Sequence, residues 1–153
     1  MKRNHFGRDE HGIRPLTTIV SRRVRFEECD QLGIVWHGRY ASFFEDARSS
    51  LGEKYGIGYM DFYRNRIVAP IKQIHVDYDR PLRFGQQFTI EATLHWSDAV
   101  RINLSYEIRD DGGVISTTGY TVQVMLDLDY NLLLVPPPFF DNFRRKWRSG
   151  ELE

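Results

Sequence analysis

At 153 residues the chain is long enough for one domain with a sizeable core and too short for two comfortable ones. Its hydrophobic content of 41% argues against disorder, and 21 Lys and Arg against 21 Asp and Glu argue against a general affinity for nucleic acid or an anionic membrane. The one cysteine, Cys29, leaves no disulfide within the chain and fits a cytoplasmic setting, and no apolar run approaches the roughly 20 residues of a membrane span.

Residues 1–17 read as a polar, flexible arm without the apolar centre of a secretory signal. A single domain is expected over 18–153, with a C-terminal tail from about 136. From Ile19 the chain alternates as a strand does, with Val20, Val24 and Phe26 on one side and Arg23, Arg25 and Glu27 on the other. Arg22 breaks that pattern slightly. Residues 38–55 change period: Tyr40, Phe44, Ala47, Leu51 and Tyr55 recur at spacings of three and four, broadened by Ala41 and Phe43. That predicts an amphipathic helix with Glu45, Asp46 and Arg48 beside or opposite the apolar face, ended by Gly52, Gly56 and Gly58. Strands are then expected over 71–79, 87–96, 100–108 and 114–128, the last with Thr118, Tyr120, Val122, Val124, Leu126 and Leu128 on one side. Turns fall at 81–85, 97–99, 110–113 and 129–131. Leu132–Val135 offers a short strand, Pro136–Pro138 stops regular structure, and the end suits a short helix anchored by Phe143 and Trp147. One long helix against a run of antiparallel strands predicts a two-layer α+β domain.

The chemistry concentrates in FEECDQLGIVWHGRY, residues 26–40. A helix N-terminus carries unpaired backbone N–H groups and partial positive charge, so it can polarise a carbonyl oxygen. Gly33 permits a tight turn just before it. Asp30 precedes that turn and is a candidate nucleophile or general base. The plain reading of the same residues is an Asp that caps or turns the chain, a turn glycine and a hydrogen-bonded structural His37. Spacing alone favours the plain reading. Cys29 should point away from Asp30 on an alternating strand and reads as a packing residue.

The run D-Q-L-G-I-V-W-H-G-R-Y at 30–40, followed by F-F-E-D-A-R at 43–48, resembles the signature of the 4-hydroxybenzoyl-CoA thioesterase family, and within it the bacterial YbgC-type acyl-CoA thioesterases. V-D-Y-D-R-P-L-R-F-G at 76–85 and the three strands after it extend the resemblance to roughly residues 20–135. It implies a hotdog fold, a curved antiparallel sheet wrapped around one central helix. It also implies hydrolysis of an acyl-CoA thioester, short-chain or aromatic, to a carboxylic acid and CoA. On this alignment Asp30 takes the place of the catalytic aspartate and Gly33 that of the turn glycine. The His37 backbone N–H takes the place of the group that polarises the thioester carbonyl. The His37 imidazole is a lesser candidate, to orient Asp30 or move a proton. Glu45 is a reserve catalytic carboxylate, with a surface ion pair to Arg48 as its structural role. Trp36 and Tyr40 are candidates to bound an acyl pocket, Tyr40 also fitting the helix's core face. Arg83, Arg80, Arg39 and the tail cations Arg144, Arg145, Lys146 and Arg148 are candidates for the CoA phosphates.

The resemblance implies no cofactor beyond the substrate's own coenzyme A, and a homo-oligomer, dimer or tetramer, with sites between subunits. No metal-ligand spacing, P-loop, dinucleotide fingerprint or G-x-S-x-G elbow is present. Two other functions remain open at this stage: hydrolysis of acyl carrier protein thioesters, and a non-catalytic module that binds acyl-CoA or a protein.

Overall fold

The computed structural model describes residues 5–7 and 9–152. Strand β1 spans Leu16–Arg23, helix α1 Tyr40–Tyr55, α2 Tyr59–Arg64, β2 Ile71–Tyr78, β3 Gln87–His95, β4 Arg101–Asp110, β5 Ile115–Val124 and α3 Pro138–Arg148. The strands form one antiparallel sheet in the order β1-β3-β4-β5-β2. Helix α1 packs on one face of it. This is the α+β hotdog arrangement, and the alternation of β3 and β4 explains it. Phe88, Ile90, Ala92 and Leu94, with Ile102, Leu104, Tyr106 and Ile108, are buried on the helix side against Phe43, Phe44, Ala47 and Leu51. Gly56, at φ 74°, closes α1 in the left-handed conformation that a side chain would resist.

Four expectations are corrected in detail. β1 begins at Leu16, inside the segment read as an arm, and Leu16 and Ile13 pack on the core. The Arg14 carbonyl also accepts a hydrogen bond from the Trp147 indole at 2.7 Å. Two apolar residues suffice to draw a polar segment inward once a sheet edge is there to receive it. The rest of the expected arm includes residues 1–4 and 8, which lie outside the described residues. Phe26, expected beside Val20 and Val24, is 80% exposed, because the strand ends at Arg23 and residues 26–28 turn as a 3-10 helix. Arg22, which broke the alternation, keeps it: its guanidinium lies over the Phe43 and Phe88 rings and bonds Glu28 and Asp46.

The fourth correction concerns β5, which spans Ile115–Val124 where a strand over 114–128 was expected, although Thr118, Tyr120, Val122 and Val124 do share one side. Directly paired residues share a face, and Thr121, Gly119 and Thr117 pair with Leu104, Tyr106 and Ile108. The small and polar side of β5 therefore faces α1, and the more apolar side faces away. The Phe44 ring stacks on Tyr106 with centroids 4.3 Å apart and crosses directly over Gly119. Beside it, Arg48 is buried completely, not set beside the apolar face, and its Nε donates to Gln123 Oε1 at 3.0 Å.

The remaining elements are local. α2, unexpected from the sequence, follows α1 after a short break. Of the short strand expected at 132–135, only a bridge between Leu132 and Leu126 forms. Pro138 opens α3 at its first position, where a missing N–H costs nothing, and Phe140, Phe143 and Trp147 bury that helix's apolar side.

Candidate active site

The segment between β1 and α1 folds as a small hairpin. Cys29 bridges Val35, the Asp30 N–H donates to the Ile34 carbonyl at 2.9 Å, and the Gly33 N–H donates to the Asp30 carbonyl at 3.1 Å. Gly33 takes φ 73°, which the turn requires. The hairpin is clamped from outside by the 81–85 turn. Val35 N–H bonds the Leu82 carbonyl at 2.9 Å, Phe84 N–H bonds the Gly33 carbonyl at 3.1 Å, and Ile34 bridges Arg83. Its base is held by Glu28, whose carboxylate takes the Arg25 N–H and the Arg22 guanidinium that also reaches Asp46 on α1.

Asp30 sits at the tip of this hairpin and is exposed. One carboxylate oxygen accepts the Leu32 N–H at 2.8 Å, which is the turn role that the spacing suggested. Its other oxygen takes no hydrogen bond among the described residues. Exposed Leu32 and Phe84 stand beside it. Cys29 packs against the core, and burial, then the neighbouring Glu28 and Asp30 charges, push its thiol up. It is held as the unreactive protonated form.

Six residues on, Trp36 caps a 3-10 turn, His37–Arg39, that runs straight into α1. The Arg39 N–H bonds back to the Trp36 carbonyl at 2.9 Å, so the N–H groups of His37 and Gly38 precede the first intrahelical bond. The Trp36 indole lies on Gly38: a Cβ there would stand 2.3 Å from the ring. The His37 imidazole makes no hydrogen bond to Asp30 among the described residues; its ring neighbour is Trp36, at 5.0 Å. Tyr40 is 2% exposed and packs edge-on to Tyr78, so of its two expected roles it fills the core one. Burial raises its phenol pKa.

Glu45 does not pair with Arg48. Both its oxygens take the Tyr59 hydroxyl, at 2.8 and 3.1 Å, and the Tyr59 phenol is pushed up to about 12, by burial first and then by that carboxylate. Arg48 turns inward instead, under the Tyr59 ring, and burial pulls its pKa down. Among the described residues Glu45 makes no hydrogen bond to the hairpin. Arg83 is tied to the hairpin by its backbone bridge to Ile34, and its N–H bonds Gln86 Oε1 within the turn. Of the tail cations, Arg144 and Arg148 lie on the Trp96 ring and Arg145 pairs with Asp141. Among the described residues no three of His, Cys, Asp and Glu converge as a metal site would require.

Tyr78 was not singled out from the sequence, yet it touches the site. Its hydroxyl donates to the His37 carbonyl at 2.8 Å. Its period-two position at the end of an edge strand was the only signal, and that marks a face, not a partner.

The arrangement therefore places a half-engaged carboxylate and a helix N-terminus on one clamped loop. Residues 24–145 match the model of the thioesterase-like superfamily. The chain belongs to that superfamily. It is 26% identical over 104 residues to a Bacillus subtilis protein named "Putative acyl-CoA thioesterase YneP", covering 68% of this chain and 75% of that one. It is 25% identical over 72 residues to the acyl-CoA thioester hydrolase YbgC of Escherichia coli, covering 47% of this chain and 54% of that one. Among solved structures it superposes on a DHNA-CoA thioesterase from Staphylococcus aureus with a TM-score of 0.79 at 25% identity, over 89% of this chain and 92% of that one. The superfamily member described here is a thioester hydrolase by class. None of its described helices is long and apolar enough to cross a membrane.

Proposed function

We propose that this chain hydrolyses short-chain or aromatic acyl-CoA thioesters in the cytoplasm, with Asp30 as the catalytic carboxylate and the helix N-terminus at His37 and Gly38 as the oxyanion site. The observation that carries the reading is the clamped hairpin. It joins a carboxylate with one uncommitted oxygen to backbone N–H groups with no intrahelical acceptor. A thioester asks for little more. The carbonyl oxygen takes the N–H bonds, which stabilise the negative charge that grows on it. Asp30 then attacks the carbonyl carbon and forms an anhydride that water opens, or it takes a proton from a water that attacks instead. Either way the carbon–sulfur bond breaks, the thiolate of CoA leaves, and one water is consumed, its oxygen ending in the acid product or, where the anhydride opens at the Asp30 carbonyl, in Asp30 itself. This route needs no metal and no cofactor. Trp36, half-exposed above Gly38, is placed to border the acyl group, and Arg83 stands on the clamping turn where a phosphate could be met. Glu45, held by Tyr59 and away from the hairpin, takes no part in the reaction in this reading.

The test is thiol release from purified protein with acetyl-, longer-chain and aromatic acyl-CoAs. Turnover is expected on at least one short or aromatic ester. Binding without release across the panel would make the chain a binding module.

A second copy is part of the proposal. Among the described residues β2 pairs only with β5 and leaves its other edge open, with Ile71, Ile74 and Tyr78 about half exposed along it. An open, apolar edge strand invites pairing with its own kind. The same copy would cover Trp36, Leu32 and Phe84, which a single chain leaves in water around Asp30. Light scattering is expected to report a dimer or a multiple of it. Ile74→Asp, which sets a charge on that edge, is expected to give monomer and to lower turnover with it. A monomeric wild type with full activity would refute this part.

A further inference from the structure

We propose that Tyr78 is a positioning residue for the oxyanion site, and that the donor it aligns is the Gly38 N–H. This deepens the hydrolase reading and rests on it. The His37 carbonyl and the Gly38 N–H belong to one planar, trans peptide group, so they point in opposite directions and turn together. A bond that fixes the carbonyl therefore fixes the N–H. The Tyr78 hydroxyl makes that bond at 2.8 Å, from outside the helix.

The hydroxyl is held in place from two sides. The Tyr78 ring meets the buried Tyr40 ring edge-on, at 5.1 Å and 86°. Its backbone is paired with Thr117 at the end of β2. Tyr40 is the first residue of α1, so ring and helix start are registered to each other. Tyr78 is itself 52% exposed, so water could satisfy its hydroxyl. The structure nonetheless spends that hydroxyl on a carbonyl at the first residue of a 3-10 turn.

Two consequences follow for Gly38. A carbonyl that accepts a bond polarises its peptide, which makes the N–H at the other end a better donor. The Trp36 indole also occupies the space that a Cβ would need, so the peptide is gripped between a phenol on one side and an indole on the other. The oxyanion site then has two donors, the His37 N–H and the Gly38 N–H, and Tyr78 sets the angle of the second. Because Tyr78 lies on the open edge strand, the alignment of that donor is tied to whatever seats on β2.

The experiment compares wild type and Tyr78→Phe on the acyl-CoA that wild type turns over best. Phenylalanine keeps the ring contact with Tyr40 and removes only the hydroxyl. The expected result is about a tenfold fall in kcat, from one lost aligning bond, with KM within about twofold and an unchanged thermal midpoint. In the same samples the Gly38 amide nitrogen resonance is expected to move upfield as its peptide loses polarisation. A kcat unchanged by the substitution, or a fall in kcat only alongside a falling thermal midpoint, would overturn the inference. If wild type itself releases no thiol from any ester, the hydrolase reading fails by itself. The Gly38 resonance then decides the remainder: no movement overturns the alignment, and movement upholds it as a property of the helix start.

Discussion

Asp30→Asn is expected to lower thioester hydrolysis by about a hundredfold to ten-thousandfold while leaving the fold intact. Asparagine keeps the shape and the side-chain oxygen that accepts the Leu32 N–H, so the hairpin tip has no reason to open. What it loses is the charge, and with it both the nucleophile and the base. The substitution thus separates the observed turn role of the residue from its proposed catalytic one. A turn residue alone would tolerate Asn well, since Asn suits turns as Asp does. Steady-state thiol release, read beside the thermal midpoint, makes the distinction: activity lost at constant stability marks chemistry, and activity retained returns Asp30 to the turn. A single turnover in heavy-oxygen water, paired with trapping, then divides the two routes. Label found in the Asp30 carboxylate after one cycle identifies an anhydride that water opens at the Asp30 carbonyl; label only in the product fits the general base or an anhydride opened at the acyl carbon, and trapping the acyl group or Asp30 with hydroxylamine separates those two.

Gly119→Ala is expected to destabilise the protein by about 3 kcal/mol, at the upper end of overpacking costs. The thermal midpoint should drop by roughly 6–12 °C for a chain of this size. The sign is opposite to the usual one, because Gly to Ala in a strand normally helps by limiting the unfolded chain. Here the added Cβ would stand 2.4 Å from the His75 carbonyl oxygen and 2.6 Å from the Phe44 ring. The first atom is backbone on the neighbouring strand and cannot step aside without shifting β2. Adding Phe44→Leu should remove the ring conflict and leave the backbone one, so the double variant is expected to stay well below the Phe44→Leu single variant. Calorimetry of the four proteins checks this, and a Gly119→Ala midpoint equal to wild type would sink it. The same shift would carry Tyr78 away from His37, so activity should fall further than stability predicts.

How much of this was legible beforehand follows from how local each signal was. β3 and β4 could be read because one face is buried by the helix and the other is half-exposed, which writes a clean period of two. α1 could be read for the same reason at a period of 3.6. The loop from Asp30 to His37 was visible because its turn, its carboxylate and its helix start are contiguous. The inward face of β5 was not legible, because it answers to two particular side chains on α1. Phe44 needs the missing side chain of Gly119, and Arg48 needs the amide of Gln123. Apolar residues consequently collect on the side facing away. The Glu45–Arg48 pair failed although its spacing was right: Tyr59, on a helix the sequence did not announce, takes the carboxylate, and the guanidinium goes to the core. Tyr78 stayed hidden because its meaning lies in a bond to a residue on another element.

The two ends of α1 differ in how their partial charge is met, and Arg48 lies near one of them. Its Nη1 lies under the last turns of α1, 2.8 Å from where a Gly52 side chain would begin. A cation there faces the carbonyl end of the helix, the negative pole, and no carboxylate of an ion pair intervenes. Lys54, in the last turn, meets that pole from the surface, while Nη1 and Nη2 of Arg48 find no hydrogen-bond partner among the described residues. The opposite pole, at His37 and Gly38, has no acidic residue in its first turn to quench it. The helix is thereby an asymmetric field source, spent at one end and unspent at the other, and the unspent end closes the same hairpin that carries Asp30 at its tip.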